Sequence, residues 1–143
     1  MKDEAGNAIV EFLAVTLLLL VPILYLVLLL GRLQAATFAA EGAAREAGRA
    51  YARAATRDAG KERAVAAVGI ALRDQGFDDV DPSAALAVEC SSIPCLEPGS
   101  DLANTVTFAV RLPFVPSFVR SVVPVEIPVR GDSVEPVDSF RGR

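Results

Sequence analysis

The sequence predicts an α+β protein: a single N-terminal transmembrane helix extending into a long amphipathic helix, followed by a small head with a short helix and a short antiparallel sheet. Three observations carry that expectation. An apolar run of about 23 residues, Ala8 to Leu30, holds one ionisable side chain, Glu11. An Ala-rich, proline-free stretch then continues the helical pattern as far as Arg57. From Leu86 onward the hydrophobic period falls to two.

The apolar run is long enough to cross a bilayer. At about 1.5 Å per residue it makes a rod of about 34 Å, against a hydrocarbon core of about 30 Å. Its opening, Met1 to Asn7, is polar and not basic, and the run exceeds the roughly 7–15 residues of a secretory h-region. Two other readings stay open: a cleaved signal, with small residues at Ala35-Ala36 and Ala39-Ala40 as cleavage sites, and a plain signal anchor. Pro22 fits each of them, since a mid-membrane proline is tolerated where neighbours re-satisfy the backbone. Glu11 is the informative residue. A carboxylate in such a helix costs about 2 kcal/mol or more unless something neutralises it, so it is expected to have a function.

Beyond Leu30, the residues Leu33, Ala36, Ala40, Ala43, Ala44, Ala47, Tyr51 and Ala54 recur at three- and four-residue spacing. This narrow stripe of small side chains suits ordinary close packing, or helix–helix contact with copies or partners. Arg45, Arg49, Arg53 and Arg57 step by four along a different face, read either as solvated surface or as a contact for acidic neighbours or lipid headgroups. One helix from Asn7 to Arg57 is the economical expectation. Asp58-Ala-Gly60 reads as a break. Lys61 to Gln75 reads as a second short helix closed by Gly76. Phe77 to Ser83 reads as a turn, whose Asp78, Asp79 and Asp81 lack the Gly and closing Glu of a calcium loop.

Three strands follow. Leu86, Val88 and Cys90 alternate with Ala87 and Glu89, and Val106, Phe108, Val110 and Leu112 alternate with Thr105, Thr107, Ala109 and Arg111. A turn at Pro98-Gly-Ser-Asp101 separates them, and Pro113-Phe-Val-Pro116 interrupts the second. Val123, Val125, Ile127 and Val129 share a third face opposite Pro124, Glu126 and Pro128, the prolines marking an edge strand. Gly131-Asp132 is expected to turn it, leaving Ser133 to Arg143 as a frayed polar tail.

Composition narrows the function. Of 143 residues 52% are hydrophobic and the net charge is −4, so no nucleic-acid partner is expected. Beyond the apolar run roughly 110 residues remain, enough for one modest domain. The chain has no His, which excludes Ser-His-Asp and Cys-His catalysis and the commonest zinc ligand. No catalytic residue, cofactor or metal site is expected. Cys90 and Cys95 enclose four residues rather than the two of a Cys-x-x-Cys redox motif, and no further soft ligands exist for a metal. They form a candidate disulfide that would place the loop outside the cytoplasm; two free thiols in a turn are the alternative.

The opening Gly6-Asn-Ala-Ile-Val-Glu11-Phe12, followed by a long apolar helix, resembles the class III signal of type IV pilin-like proteins. Its wording and short leader resemble in particular the TadE-like minor pseudopilins of tight-adherence (Flp) pilus systems. The resemblance is strong over residues 6–30 and weak over the head. It implies cutting by a prepilin peptidase after Gly6, making Asn7 the first mature residue and Glu11 the fifth. It also implies that Glu11, with Phe12 beside it, sets register by pairing with the amine that cleavage frees on Asn7. The resulting layout is a leader 1–6, a transmembrane helix 7–30, an extracytoplasmic helical extension 31–57, and a head 58–143 with a polar C-terminal tail.

The implied function is that of a membrane-anchored, non-enzymatic subunit that assembles or initiates a pilus. Its N-terminus would be cytoplasmic and its head extracytoplasmic, held in the cell membrane or incorporated into a surface pilus. A count of Lys and Arg beside the helix favours the reverse orientation, a rule that weakens for translocated domains. The implied partners are the prepilin peptidase, other pilin-like subunits, an inner-membrane pilus assembly platform and membrane lipid. The alternative is a signal-anchored extracytoplasmic binding module unrelated to pili.

Overall fold

In the computed structural model, which describes residues 4–113, 115 and 126–140 with side chains from Ala8 onward, six elements follow one another. They are α1 (Glu4–Ala52), α2 (Arg57–Asp74), α3 (Pro82–Ala85), β1 (Leu86–Cys90), β2 (Asp101–Arg111) and β3 (Glu126–Pro136). The strands form an antiparallel sheet of order β1-β2-β3, so the fold is α+β. The chain divides into two units, Met1–Arg32 and Leu33–Arg143.

The first unit is the front of α1. Its most apolar 18-residue window has a mean hydropathy of 3.0 and buries none of itself within the chain. By length and composition this helix can cross a membrane. Leu, Val and Ile side chains stand exposed all round it, Leu18 at 74%. A helix apolar on every side needs an apolar surrounding.

The second unit is built on small residues. Ala36, Ala40, Ala43, Ala44, Ala47 and Tyr51 of α1 are buried in one cluster with Val68 and Leu72 of α2 and Leu102, Val106, Phe108, Val110 and Val129 of the sheet. Each Ala contributes little area, because burial is worth about 0.8 kcal/mol per CH₂ against about 1.5–3 kcal/mol for a whole Leu, Val or Phe. What Ala supplies is proximity. The α1 backbone lies so close to β3 that a Cβ on Gly131 would collide with the main chain of Ala40 and Glu41. A Cβ on Gly48 would sit 2.6 Å from Asn104 Nδ2 and 3.0 Å from Glu135 Cβ. The stripe is therefore taken up by the protein's own sheet.

The helix boundaries differ from those expected. The first helix ends at Ala52, short of Arg57, and Arg57 instead begins α2, ahead of Lys61. Thr56 explains the shift: extended at the N-cap, it accepts the Ala59 N–H on Oγ1 at 3.3 Å, and Asp58 follows in the first turn. Gly60, expected in the break, lies inside α2, where a Cβ would come within 3.0 Å of the Tyr51 ring. Gly76 does close the helix. Its φ of 74° lets Phe77 N–H donate to Leu72 O at 3.0 Å and its own N–H to Arg73 O at 2.9 Å.

The expected turn from Phe77 to Ser83 is more ordered than its composition suggests. Phe77 is buried, its ring centroid 5.1 Å from that of Phe108. Asp81 caps the short α3, Oδ1 accepting the Ser83 N–H at 2.9 Å and the Ser83 hydroxyl at 2.7 Å. These bonds to the ionised form hold the Asp81 carboxyl below its ordinary range.

β1 and β2 follow the expected alternation, with Leu102, Val106 and Val110 buried and Ala87 and Glu89 outward. β3 is an edge strand with Ile127 and Val129 inward, while Val123, Pro124 and Val125 lie outside the described residues, as do Phe114 and Pro116. Gly131-Asp132 does not turn the strand. Pairing continues from Arg111↔Glu126 to Asp101↔Pro136, and Gly131 meets α1 where no side chain fits. Residues 133–136 are strand, and Val137 is buried with its N–H donating to Ser100 O at 2.8 Å.

The contact at Gly131 makes a paired test. Gly131→Ala should destabilise the protein by about 1–3 kcal/mol through overpacking. Gly42→Ala, where nothing lies within 4 Å of the added carbon, should raise stability by up to about 1 kcal/mol through helix propensity. Thermal unfolding followed by circular dichroism compares the two, and equal effects would refute the close approach.

Candidate functional site

Gly6 and Asn7 lie in the first turns of α1, and the Asn7 side chain is outside those described. Glu11 and Phe12 are exposed on the same helix, Phe12 at 69%. Among the described side chains Glu11 thus stands as a lone carboxylate on a surface otherwise formed by Ile9, Val10, Leu13, Val15 and their successors. In an apolar surrounding it would need a cation or a proton.

The other predicted pair, Cys90 and Cys95, is joined by a disulfide with Cα atoms 5.1 Å apart. Polar bonds fix the base of the enclosed loop: Ser91 N–H donates to Asp101 O at 2.9 Å and Asp101 N–H to Ser91 Oγ at 2.8 Å. At the loop tip Ile93 is 98% exposed. Between this loop and the connection from α1 to α2 lies an open groove of about 640 Å³. Val88, Ile93, Pro94 and Leu96 form its apolar wall, and Ala55, Thr56 and Arg57 form the other side.

The arginine series divides at this point. Arg45 pairs with Glu41 at 3.7 Å and Arg49 with Glu46 at 3.2 Å, all four side chains being well exposed. Because α1 ends at Ala52, Arg53 and Arg57 leave the ladder, and among the described residues neither side chain has a hydrogen bond or an ion pair. Arg57 is a groove residue that sequence reasoning placed only on a helix face. Its sequence signal, a basic residue just after Ala-Ala-Thr56, could not show which loop would lie opposite it.

On the outward sheet face, Arg130 Nη2 donates to Asp132 Oδ1 at 2.8 Å, Arg130 Nε donates to Asp132 Oδ2 at 2.9 Å, and Thr105 Oγ1 donates to Asp132 Oδ1 at 2.7 Å. The Arg130 bond first, then that of Thr105, holds the Asp132 carboxyl below its ordinary range. Among the described residues no group of three or more His, Cys, Asp or Glu side chains converges as a metal site. Comparison of the chain with protein-family models, with curated proteins and with solved structures finds no match.

Two measurements follow. The bonds to ionised Asp132 contribute fully above the ordinary carboxylate pKa of about 4 and are lost as pH falls through its lower folded value. The difference in Tm between the parent protein and Asp132→Asn should therefore be constant from about pH 5 to 8 and close in more acid solution. Opening the six-residue Cys90–Cys95 ring, by reduction or by changing both residues to Ser, should cost about 2 kcal/mol in the chain-entropy picture. Urea unfolding with and without reductant reads that loss.

Proposed function

We propose that this chain is a membrane-anchored pilin-like structural subunit, cut by a prepilin peptidase after Gly6, that assembles or initiates a tight-adherence (Flp-type) pilus. The observation that carries the reading is the exposed apolar run Ala8–Leu30 of α1 with one carboxylate, Glu11, five residues beyond Gly6. Cleavage there would free an α-amine on Asn7, whose ordinary pKa of about 7.7–8.0 leaves it largely cationic at neutral pH. Pairing with that amine, in the same or a neighbouring chain, would relieve the burial cost of Glu11 and set axial register when helices pack side by side.

Two further features support anchoring over secretion. Ala36, Ala39 and Ala40 are buried in the core of the Leu33–Arg143 unit. A signal peptidase cutting near Ala36 or Ala40 would strip residues from that core. The Cys90–Cys95 disulfide suits an oxidising compartment, in keeping with a head outside the cytoplasm. The predicted partners remain the prepilin peptidase, other pilin-like subunits, the inner-membrane assembly platform and lipid. The groove beside Arg57 favours the second reading, a signal-anchored binding module. Fusing the head to an unrelated anchor separates the two, since only a binding module would keep its function.

Mass spectrometry of the protein recovered from its own cell tests the proposal, with Asn7 expected as the first residue. An intact Met1 would point to a plain anchor, and a start near Ala36 or Ala40 to a secreted head. Glu11→Ala should insert in the membrane at parental levels yet lower incorporation into the assembly roughly tenfold or more, the scale set by about 1.4 kcal/mol per decade. Unchanged piliation with that variant would remove the proposed role of Glu11.

A further inference from the structure

The groove between the Cys90–Cys95 loop and the start of α2 combines three properties that the assembly reading does not use. Its wall is apolar, with Ile93 and Pro94 at the lip and Val88 and Leu96 deeper. Its cation is Arg57, which among the described residues makes no ion pair or side-chain hydrogen bond, and the lining includes no carboxylate. Asp58, next in the same turn, does not line it. Its apolar side is fixed by a disulfide and by the reciprocal bonds of Ser91 and Asp101, so little ordering would oppose binding. The volume of about 640 Å³ falls among those of ligand sites, roughly 300–1,000 Å³.

The geometry points to a docking groove for an acidic peptide segment of a partner protein, its carboxylate held by Arg57 and its neighbouring apolar side chains laid against Ile93 and Pro94. Charge complementarity selects this occupant. A guanidinium fork matches a carboxylate in a bidentate pair. The groove is open to solvent along one side and suits a chain passing through it better than an enclosed small molecule. The whole site lies within the Leu33–Arg143 unit, so it does not depend on cutting at Gly6.

The test uses the full chain in neutral detergent micelles and a fluorescein-labelled, C-terminally amidated peptide, Val-Leu-Glu-Val-Leu, read by anisotropy. Saturable binding is expected. Replacing the peptide Glu by Gln, or making R57Q, should each weaken it about two- to fivefold, the range for an exposed ion pair. The two changes together should do little more than either alone. Ile93→Ser should weaken the Glu and Gln peptides alike. Equal binding of both peptides to the parent protein, full affinity in R57Q, or no saturation by about 1 mM would overturn the proposal. Displacement of bound peptide by phosphatidylglycerol vesicles would overturn it in favour of a lipid headgroup site. Processing at Asn7 is measured on the same preparations, so failure of the groove and failure of the pilin-like reading give different results.

Discussion

The close approach of the α1 backbone to β3 is the constraint on which the head depends. Where Gly131 faces the main chain of Ala40 and Glu41 there is no room for a Cβ, so the strand side must be Gly. The contact also fixes which residues of the sheet can point toward the helix. A one-residue slip of β2 would carry Thr105 and Thr107 inward and turn Leu102, Val106 and Val110 out. The apolar alternation thus holds the register in which Gly131 meets Ala40. Asn104 lies on this same inward face, 1% exposed, with Nδ2 donating to Leu102 O at 3.0 Å and Oδ1 unpartnered among the described residues. Such a group costs about 1–3 kcal/mol. Its position against Gly48 shows that shape, more than polarity, decides what fits beneath the helix.

Side-chain size divides α1 in two. Up to Leu30, α1 carries Leu, Ile, Val and Phe on every side and buries none of its most apolar window. From Leu33 its inward positions are Ala, with Tyr51 filling the end near Gly60. Large apolar side chains suit a fluid apolar surrounding that adapts to them. Small ones suit a fixed backbone that cannot adapt. The change of size therefore marks where α1 enters the packed core of the Leu33–Arg143 unit, a distinction that mean hydropathy alone would miss.

What was legible in the sequence was local, and what was missed was tertiary. The period-two pattern of Leu86 to Cys90 and of Val106 to Val110 is set by the pleat, and those strands formed where they read. Gly76 ended α2 because a left-handed residue is needed there and Gly adopts it freely. Gly131-Asp132 read as a turn because that dipeptide is common in turns, but here Gly answers to a neighbouring helix far away in sequence. The Ala stripe was ambiguous for a similar reason. Nothing local tells an Ala face that meets a sheet from one that meets another chain. Thr56 was the missed local signal, a capping residue hidden behind a longer run of good helix formers. Of the candidate site, Cys90 and Cys95 were legible through spacing and the lack of further metal ligands. The opposing Arg57 was not, since its partner wall lies more than thirty residues on.

Charge explains why only part of the arginine series stands out. Arg45 and Arg49 have acidic neighbours one helical turn away, and exposed pairs of this kind contribute about 0–1 kcal/mol. They make the outer face of α1 soluble without making it selective. Arg53 falls where α1 has ended, and Arg57 opens α2, where the residues three and four on are Gly60 and Lys61 and neither is an acid. A guanidinium in open solvent needs no protein partner, and Arg53 is of that kind. Arg57 differs because one side of it faces an apolar wall held by a disulfide. Beside such a wall the local dielectric is lower than in bulk water, and an opposite charge gains more from the same separation. The end of α1 at Ala52 therefore does two things: it breaks a solvated ladder, and it leaves Arg57 beside the disulfide-closed loop whose tip residue, Ile93, is 98% exposed.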